Sequence, residues 1–306
     1  MLTFLGWRCA RALLTLWVVL TLVFFTTRLS GDAIDFIWPE GANEVARQAM
    51  VQYLGLDRSL PEQYGRYVQG ILHGDFGLSF YERRPVMMMY RERMAATASL
   101  SGGAFLLSLL VGVPCGMLAA LQRHTAMGRL LTSAALPGYA TPHFILGIVL
   151  ILVFSLYLGW LPSAGNQTLA HWVMPTVTLA AALVAAVVRF TRSAVLEVMT
   201  QDYLRTARAK GITERLVVLK HALRNALIPV VTILGLQIAT LIAGSVVIET
   251  VFAWPGIGEL LVTSVIGRDY PTVQGGVVMI AALVALVHLA IDLLYVMIDP
   301  RIRVEV

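Results

Sequence analysis

Charge is scarce in this chain. Only 13% of its 306 residues are Asp, Glu, Lys or Arg, where soluble domains carry about 25%. Hydrophobic residues make up 58% instead, and the mean hydropathy is +0.76. A water-soluble fold of this length could not bury that much apolar surface, so the bilayer is its natural solvent. Cysteine is nearly absent. Cys9 and Cys115 lie in or beside apolar segments and form no CxxC, which excludes a disulfide framework and a cysteine metal site. Catalytic signatures are missing as well. There is no GxxxxGK[ST] loop to hold nucleotide phosphates, no HExxH for zinc and no GxSxG nucleophile elbow. The six histidines, at 73, 124, 143, 171, 221 and 288, form no close ligand pair, and His143 and His288 in apolar runs read as structural. No catalytic residue, cofactor or metal ligand is expected. Met87-Met88-Met89 reads as adaptable packing rather than soft-metal handling.

What the chain does have is long charge-free runs. A hydrocarbon core about 30 Å thick needs roughly 20 apolar residues at helical rise. Six runs meet or approach that length: about Trp7–Leu29, Thr97–Leu121, a stretch within Leu130–Trp160, Trp172–Val188, Ala226–Ile248 and Val273–Ile291. The last is expected to continue past Asp292 towards Ile298, with Asp292 anchored at the membrane boundary. Pro137 and Pro142 mark where the third can break. The fold class is therefore all-α integral membrane, with six transmembrane helices. The first run follows Arg8 and Arg11, and no small-x-small cleavage pattern lies close behind Thr27, so an uncleaved helix is expected there.

The basic residues set the orientation. The net charge is +5, but no aromatic–basic surface motif points to nucleic acid. With the N-terminus inside, the inner loops hold Arg8 and Arg11, Arg123 and Arg129, eight residues from Arg189 to Arg224, and Arg301 and Arg303. The short outer loops hold only Arg268. Both termini are expected to be cytoplasmic.

Two loops stand out. Residues 30–95 read as an external helical subdomain. Ser59-Leu60-Pro61-Glu62 has the form of a capping box, and Tyr64, Tyr67, Val68, Ile71 and Leu72 recur at helical spacing after it. Val45, Ala49 and Tyr53 do the same in a preceding helix. The inner segment 193–225 reads as a helix over Ser193–Lys210 that stops at Gly211, with Arg208 and Lys210 at its negative end. Thr213 is placed to cap a new short helix, with Glu214 in its first turn. Leu216, Val217, Val218 and Leu219 would then be four exposed aliphatics in a row, the mark of a docking element.

Asp202-Tyr203-Leu204-Arg205-Thr206-Ala207-Arg208-Ala209-Lys210-Gly211 and Lys220-His221-Ala222-Leu223-Arg224-Asn225-Ala226-Leu227-Ile228-Pro229 resemble the cytoplasmic loop of permeases from the dipeptide/oligopeptide/nickel family of ABC importers. Further stretches match that family: Leu54-Gly55-Leu56-Asp57 with His73-Gly74-Asp75-Phe76-Gly77, Phe252-Ala253-Trp254-Pro255-Gly256-Ile257-Gly258 with Arg268-Asp269-Tyr270-Pro271, and Asp299-Pro300-Arg301-Ile302-Arg303. The resemblance covers nearly the whole chain. Arg205, Thr206 and Ala207 stand where the general loop has Glu-Ala-Ala, and the interval from Gly211 to Pro229 exceeds that of sugar permeases. Leu29-Ser30-Gly31-Asp32-Ala33 lacks the proline often found after the aspartate.

The resemblance implies a type I ABC importer permease fold in a bacterial or archaeal inner membrane. Residues 1–94 would form the first span and the external subdomain. Residues 95–299 would form a core of five spans with a coupling loop near 193–225, and residues 300–306 a cytoplasmic tail. Arg205, Thr206, Ala207, Gly211, Thr213, Glu214, Arg215, Leu216 and Pro229 would serve coupling to the ATPase. Implied partners are a second, homologous permease, two ATPase subunits that bind ATP-Mg, and an extracytoplasmic solute-binding protein, with peptides, glutathione, nickel or metallophores as candidate solutes. A secondary transporter would need intramembrane charges or broken helices at matching positions in two halves. An intramembrane enzyme would need a nucleophile and base within the bilayer. The intramembrane charges are marginal, the prolines of the third run have no counterpart and no nucleophile–base pair occurs in the apolar runs, so a secondary transporter is the second reading and an intramembrane enzyme the third.

Overall fold

The computed structural model describes residues 2–29, 44–53 and 55–298. The Asp299-Pro300-Arg301-Ile302-Arg303 stretch, the tail 300–306, residues 30–43, Leu54 and the Tyr53 side chain lie outside the described residues. The helices are α1 (Leu2–Leu29), α2 (Glu44–Tyr53), α3 (Leu60–Leu72), α4 (Val86–Leu121), α5 (Ala126–Ala140), α6 (His143–Leu150), α7 (Leu169–Val198), α8 (Asp202–Ala209), α9 (Glu214–Leu216), α10 (Leu223–Val251), α11 (Ile257–Ile266) and α12 (Tyr270–Ile298). A π-helix over Ile151–Tyr157 prolongs α6, and another over Val217–Ala222 joins α9 to α10. Among the described residues there is no strand, only a single bridge between Leu78 and Pro85.

Four helical stretches are long and apolar enough to cross a membrane: Gly6–Leu29, Val86–Leu121, Leu169–Val198 and Tyr270–Leu293. The third and fifth predicted runs are carried by shorter apolar stretches, His143–Tyr157 and Gln237–Val251, the latter inside the 29-residue α10. The break in the third falls at Thr141-Pro142, where Pro142 is extended (φ −55°, ψ 132°), while Pro137 stays within α5. Pro142 has no N–H to donate, and its ring biases Thr141 away from helical geometry.

The predicted helix Ser193–Lys210 is two helices. α7 runs on to Val198, the chain turns over Met199–Gln201, and α8 starts afresh at Asp202. The Thr200 hydroxyl donates to the Glu197 carbonyl at 2.7 Å, drawing the last turn closed, and Gln201 is extended. Asp202 then sits in the first turn of α8, where the helix dipole favours negative charge.

The described chain packs as two units. The first holds the residues up to Ala96 with Pro255–Leu289, and the second holds Thr97–Trp254 and the end of α12. In the first unit, Tyr64, Tyr67, Val68 and Ile71 of α3 pack on Leu20 and Val23 of α1 and Val278 of α12. The Phe24 ring meets Tyr64 and Tyr67 at 5.3 Å each, and the hydroxyls of Thr21 and Tyr64 are 2.7 Å apart. The predicted stripe thus has its partner, except that Leu72 is 79% exposed. The predicted capping box does not form. Ser59 occupies the N-cap without a side-chain bond, and Glu62, which would supply the reciprocal half, pairs instead with Arg58 and, at 3.7 Å, with Arg66.

In the second unit α7 is central, and α5, α6 and α10 pack against it. Buried Thr178, Ala180, Ala186 and Val187 keep its surface narrow. Gly112 and Gly116 let α4 come close to it. A Cβ at Gly112 would stand 2.7 Å from the Val187 side chain, and one at Gly116 would stand 2.7 Å from the Val188 carbonyl. In lipid, where helices gain little from hydrophobicity, such small-xxx-small contacts supply the packing energy.

Candidate functional site

The segment between α7 and α10 concentrates most of the sequence-predicted coupling residues. α8 ends in a Schellman motif. The Gly211 N–H donates to the Arg208 carbonyl at 2.9 Å, and the Ile212 N–H reaches the Ala207 carbonyl at 3.3 Å. Gly211 has φ +77°, the left-handed region that a side chain disfavours. Across this turn, Arg208 grips Glu214 with two parallel bonds, Nε to Oε2 at 3.0 Å and Nη2 to Oε1 at 2.9 Å. The hydrogen bonds from Arg208 hold the Glu214 carboxyl below its ordinary pKa. Leu204, Ala207, Val217 and Ala222 form a small buried cluster under the turn, with Val198, Met199 and Ile212 against it. The Tyr203 hydroxyl accepts from the Asn225 amide at 2.7 Å, tying α8 to the start of α10.

Individual residues fall differently from the sequence pattern. Arg205, Thr206, Gly211, Thr213, Glu214, Arg215 and Leu216 are exposed, and Ala207 is buried in the cluster. Pro229 lies apart from them, inside α10. Thr213 takes the N-cap position of α9 in extended geometry, but its hydroxyl makes no capping bond. The helix it starts is not separate, since it continues through the π-segment into α10. The free-standing short helix is α8. Of the four aliphatics expected to be exposed in a row, Leu216 and Leu219 are exposed, whereas Val217 and Val218 are buried. The wider π turn brings two adjacent side chains inward together.

Two buried acids escaped the sequence reading. Glu249, near the end of the apolar α10, is 0% exposed. The signal was available, since Ile248 and Val251 flank it. Asp269 is 3% exposed at the turn between α11 and α12. Its carboxylate accepts from the Ser79 hydroxyl at 2.5 Å, the Phe80 N–H at 3.0 Å and the Thr272 hydroxyl at 2.7 Å. Tyr90 completes the group by donating to the Thr272 carbonyl at 2.9 Å, and Arg93 pairs with Glu259 nearby in the chain fold. Arg83 and Arg268, the residues that lead out of and into these two turns, both have positive φ (52° and 56°). Beside Arg268 in sequence, Asp269 reads as an ordinary outer-loop charge, which is why its burial was missed.

Apolar helices of membrane-spanning length, a close-packed glycine interface and a stapled turn between two of the helices describe an all-helical membrane-embedded protein. A solved structure of the MetNI methionine ABC transporter in its inward-facing form matches that fold with a TM-score of 0.60 at 21% identity, covering 70% of this chain and 97% of its own. The chain belongs to the family of binding-protein-dependent transport system inner membrane components, matched over residues 112–304. It is 43% identical over 290 residues to the glutathione transport system permease protein GsiC of Escherichia coli (strain K12), covering 94% of this chain and 95% of that one. GsiC of Shigella dysenteriae serotype 1 (strain Sd197) is similar to the same degree. The chain is thus the inner-membrane permease component of a binding-protein-dependent ABC importer.

Proposed function

We propose that this permease forms one half of a type I import pore, with six transmembrane helices and both termini in the cytoplasm. A homologous permease supplies the other half. Two cytoplasmic ATPase subunits hold and hydrolyse ATP-Mg, and an extracytoplasmic binding protein delivers the solute. The likeness to glutathione permeases supports a peptide-like solute. The segment from Asp202 to Leu219 hands the stroke of the ATPases to the helices. In it, Arg205, Thr206, Arg215 and Leu216 offer the exposed contact surface, while Ala207, Gly211, Thr213 and Glu214 fix its shape. Closure of the ATPases moves α8, and α9 passes the displacement into α10 without a break in the helix. The inward-to-outward switch is a rigid-body change between two states.

The observation that carries this reading is the stop at Gly211, a left-handed turn locked by the Schellman bonds and the Arg208–Glu214 pair. A Cβ there would meet no atom within 4 Å, so a substitution acts through backbone strain alone, roughly 1–2 kcal/mol for an ordinary L-residue. Gly211→Val is expected to reach the membrane and abolish uptake, because valine opens the turn and misdirects α8 against the ATPase. Gly211→Asn tolerates the left-handed region and is expected to keep transport. The measurement is solute uptake together with co-purification of the ATPase. Normal uptake by the valine variant would remove this loop as the coupling element.

A further inference from the structure

Within the second unit, the ends of α4 and α7 and the start of the helix at Glu214 enclose a cleft of about 690 Å³, lined in part by Glu214, Arg215 and Leu219 of the coupling segment. Its walls are apolar, with Leu121, Leu196, Met199, Val218 and Leu219 among them, and its rim carries Arg123, His124 and Arg215. Glu214 is the one acid lining it, and that carboxylate is already held by both bonds from Arg208. Arg123 Nε donates to His124 Nε2 at 2.9 Å, which fixes that nitrogen as an acceptor and leaves Nδ1 as the donor. Two arginines and a histidine therefore share the lining with aliphatic side chains. The cleft lies at the ends of α4 and α7, two of the helices long and apolar enough to cross a membrane.

We propose that this cleft binds the phosphodiester headgroup of an anionic membrane phospholipid, with its first methylenes on the aliphatic floor. The volume suits a headgroup and the roots of its chains rather than a whole lipid. Arginine matches the occupant because its planar fork holds two phosphate oxygens at once. Anionic lipids supply the complementary charge and are attracted to basic residues at the cytoplasmic leaflet. The site rests on the orientation proposed above, which puts Arg123 on the inner side. Because Glu214 and Arg215 belong to the coupling segment, the bound headgroup would stiffen that segment against the ends of α4 and α7.

The test uses the whole complex, with its second permease and ATPases, delipidated in detergent and titrated with phosphatidylglycerol or phosphatidylcholine under native mass spectrometry. Phosphatidylglycerol is expected to bind in preference to phosphatidylcholine, and inorganic phosphate should fail to displace it because the chain roots also contribute. Arg123→Gln is expected to weaken phosphatidylglycerol binding about tenfold, the equivalent of one lost charge-assisted contact. Arg123→Lys should recover part of that loss. Arg129→Gln, a basic change outside the cleft lining, should lose nothing. Unchanged binding in Arg123→Gln, equal binding of the two lipids, or displacement by phosphate would overturn the proposal. So would a cysteine at the exposed lining residue Leu121 that a water-soluble maleimide labels equally with and without lipid but that the ATPase shields, since a protein partner would then fill the cleft. A cysteine at Thr213 labelled only from outside the cell would instead overturn the orientation, and so separates failure of that reading from failure of the lipid site.

Discussion

The turn at Asp269 and the turn at Gly211 each contain left-handed backbone, yet they are held in different ways. At Asp269 a buried carboxylate takes three donors from two separate stretches of chain, and removing any one leaves a polar group stranded. At Gly211 the closure comes from local backbone bonds, an exposed ion pair and a small apolar cluster. A buried polar group is costly to disturb and therefore nearly all-or-none. An exposed pair over a few aliphatics yields in small steps. The first design suits a part that must hold its shape, the second a part that must move and return.

The comparison is broken most severely by Asp269→Ala. It leaves the Ser79 and Thr272 hydroxyls and the Phe80 N–H without their acceptor, and unsatisfied buried groups cost about 1–3 kcal/mol each. A drop of roughly 3 kcal/mol or more is expected, read as the denaturant midpoint of the purified protein. A loss below the cost of a single such group would mean that water already serves these donors. Next comes Leu204→Ala, which empties part of the cluster under α8 and is expected to cost about 2–3 kcal/mol. That loss should appear as faster amide exchange confined to α8 and the following turn, with the global midpoint unmoved. Faster exchange throughout the protein would erase the distinction between the two regions.

The smallest effect belongs to Glu214→Gln. Both partners are largely exposed, so solvent screening limits the pair to about 0.5 kcal/mol. Its pH dependence has a definite sign. The folded-state pKa lies below the ordinary value of 4.5, so the contribution is complete at neutral pH and fades as the pH falls below about that value. The protection of the α8 amides, corrected for the intrinsic exchange rate at each pH, should therefore fall on acidification in the native protein and not in the variant. Raising the salt concentration should narrow the difference between them at neutral pH. An effect insensitive to salt would assign the carboxylate a packing role instead.

Much of this arrangement is legible in the residue pattern because the bilayer imposes lengths that apolar runs must meet. The end of α8 at Gly211 is legible too, since a glycine after a basic helical turn has few other uses. Other features depend on contacts that no local pattern reports. Pro137 and Pro142 look alike in sequence, and only Pro142 interrupts a helix. The stop after Val198 hangs on one threonine hydroxyl folding back to a carbonyl. Asp269 looks like a surface charge until Ser79, far away in the chain, is found beside it. Ser59 and Glu62 have the spacing of a capping box, but two neighbouring arginines compete for the glutamate.

The π-segment Val217–Ala222 bears on how α9 and α10 keep phase with each other. A π turn holds more residues than an α turn, so the helical faces before and after it are out of register with a single 3.6-residue repeat. Each residue of an α-helix advances its face by roughly 100°. The segment absorbs one extra residue: deleting a residue within 217–222 would restore a plain α-helix with Glu214 and Leu216 still nearly in phase with α10, whereas deleting one between Leu223 and Pro229 would swing them around the axis by about that angle. Only the second deletion would turn a different side of the helix toward Arg208, and the chain length between Gly211 and Pro229 thereby acts as an angular setting with one residue of slack.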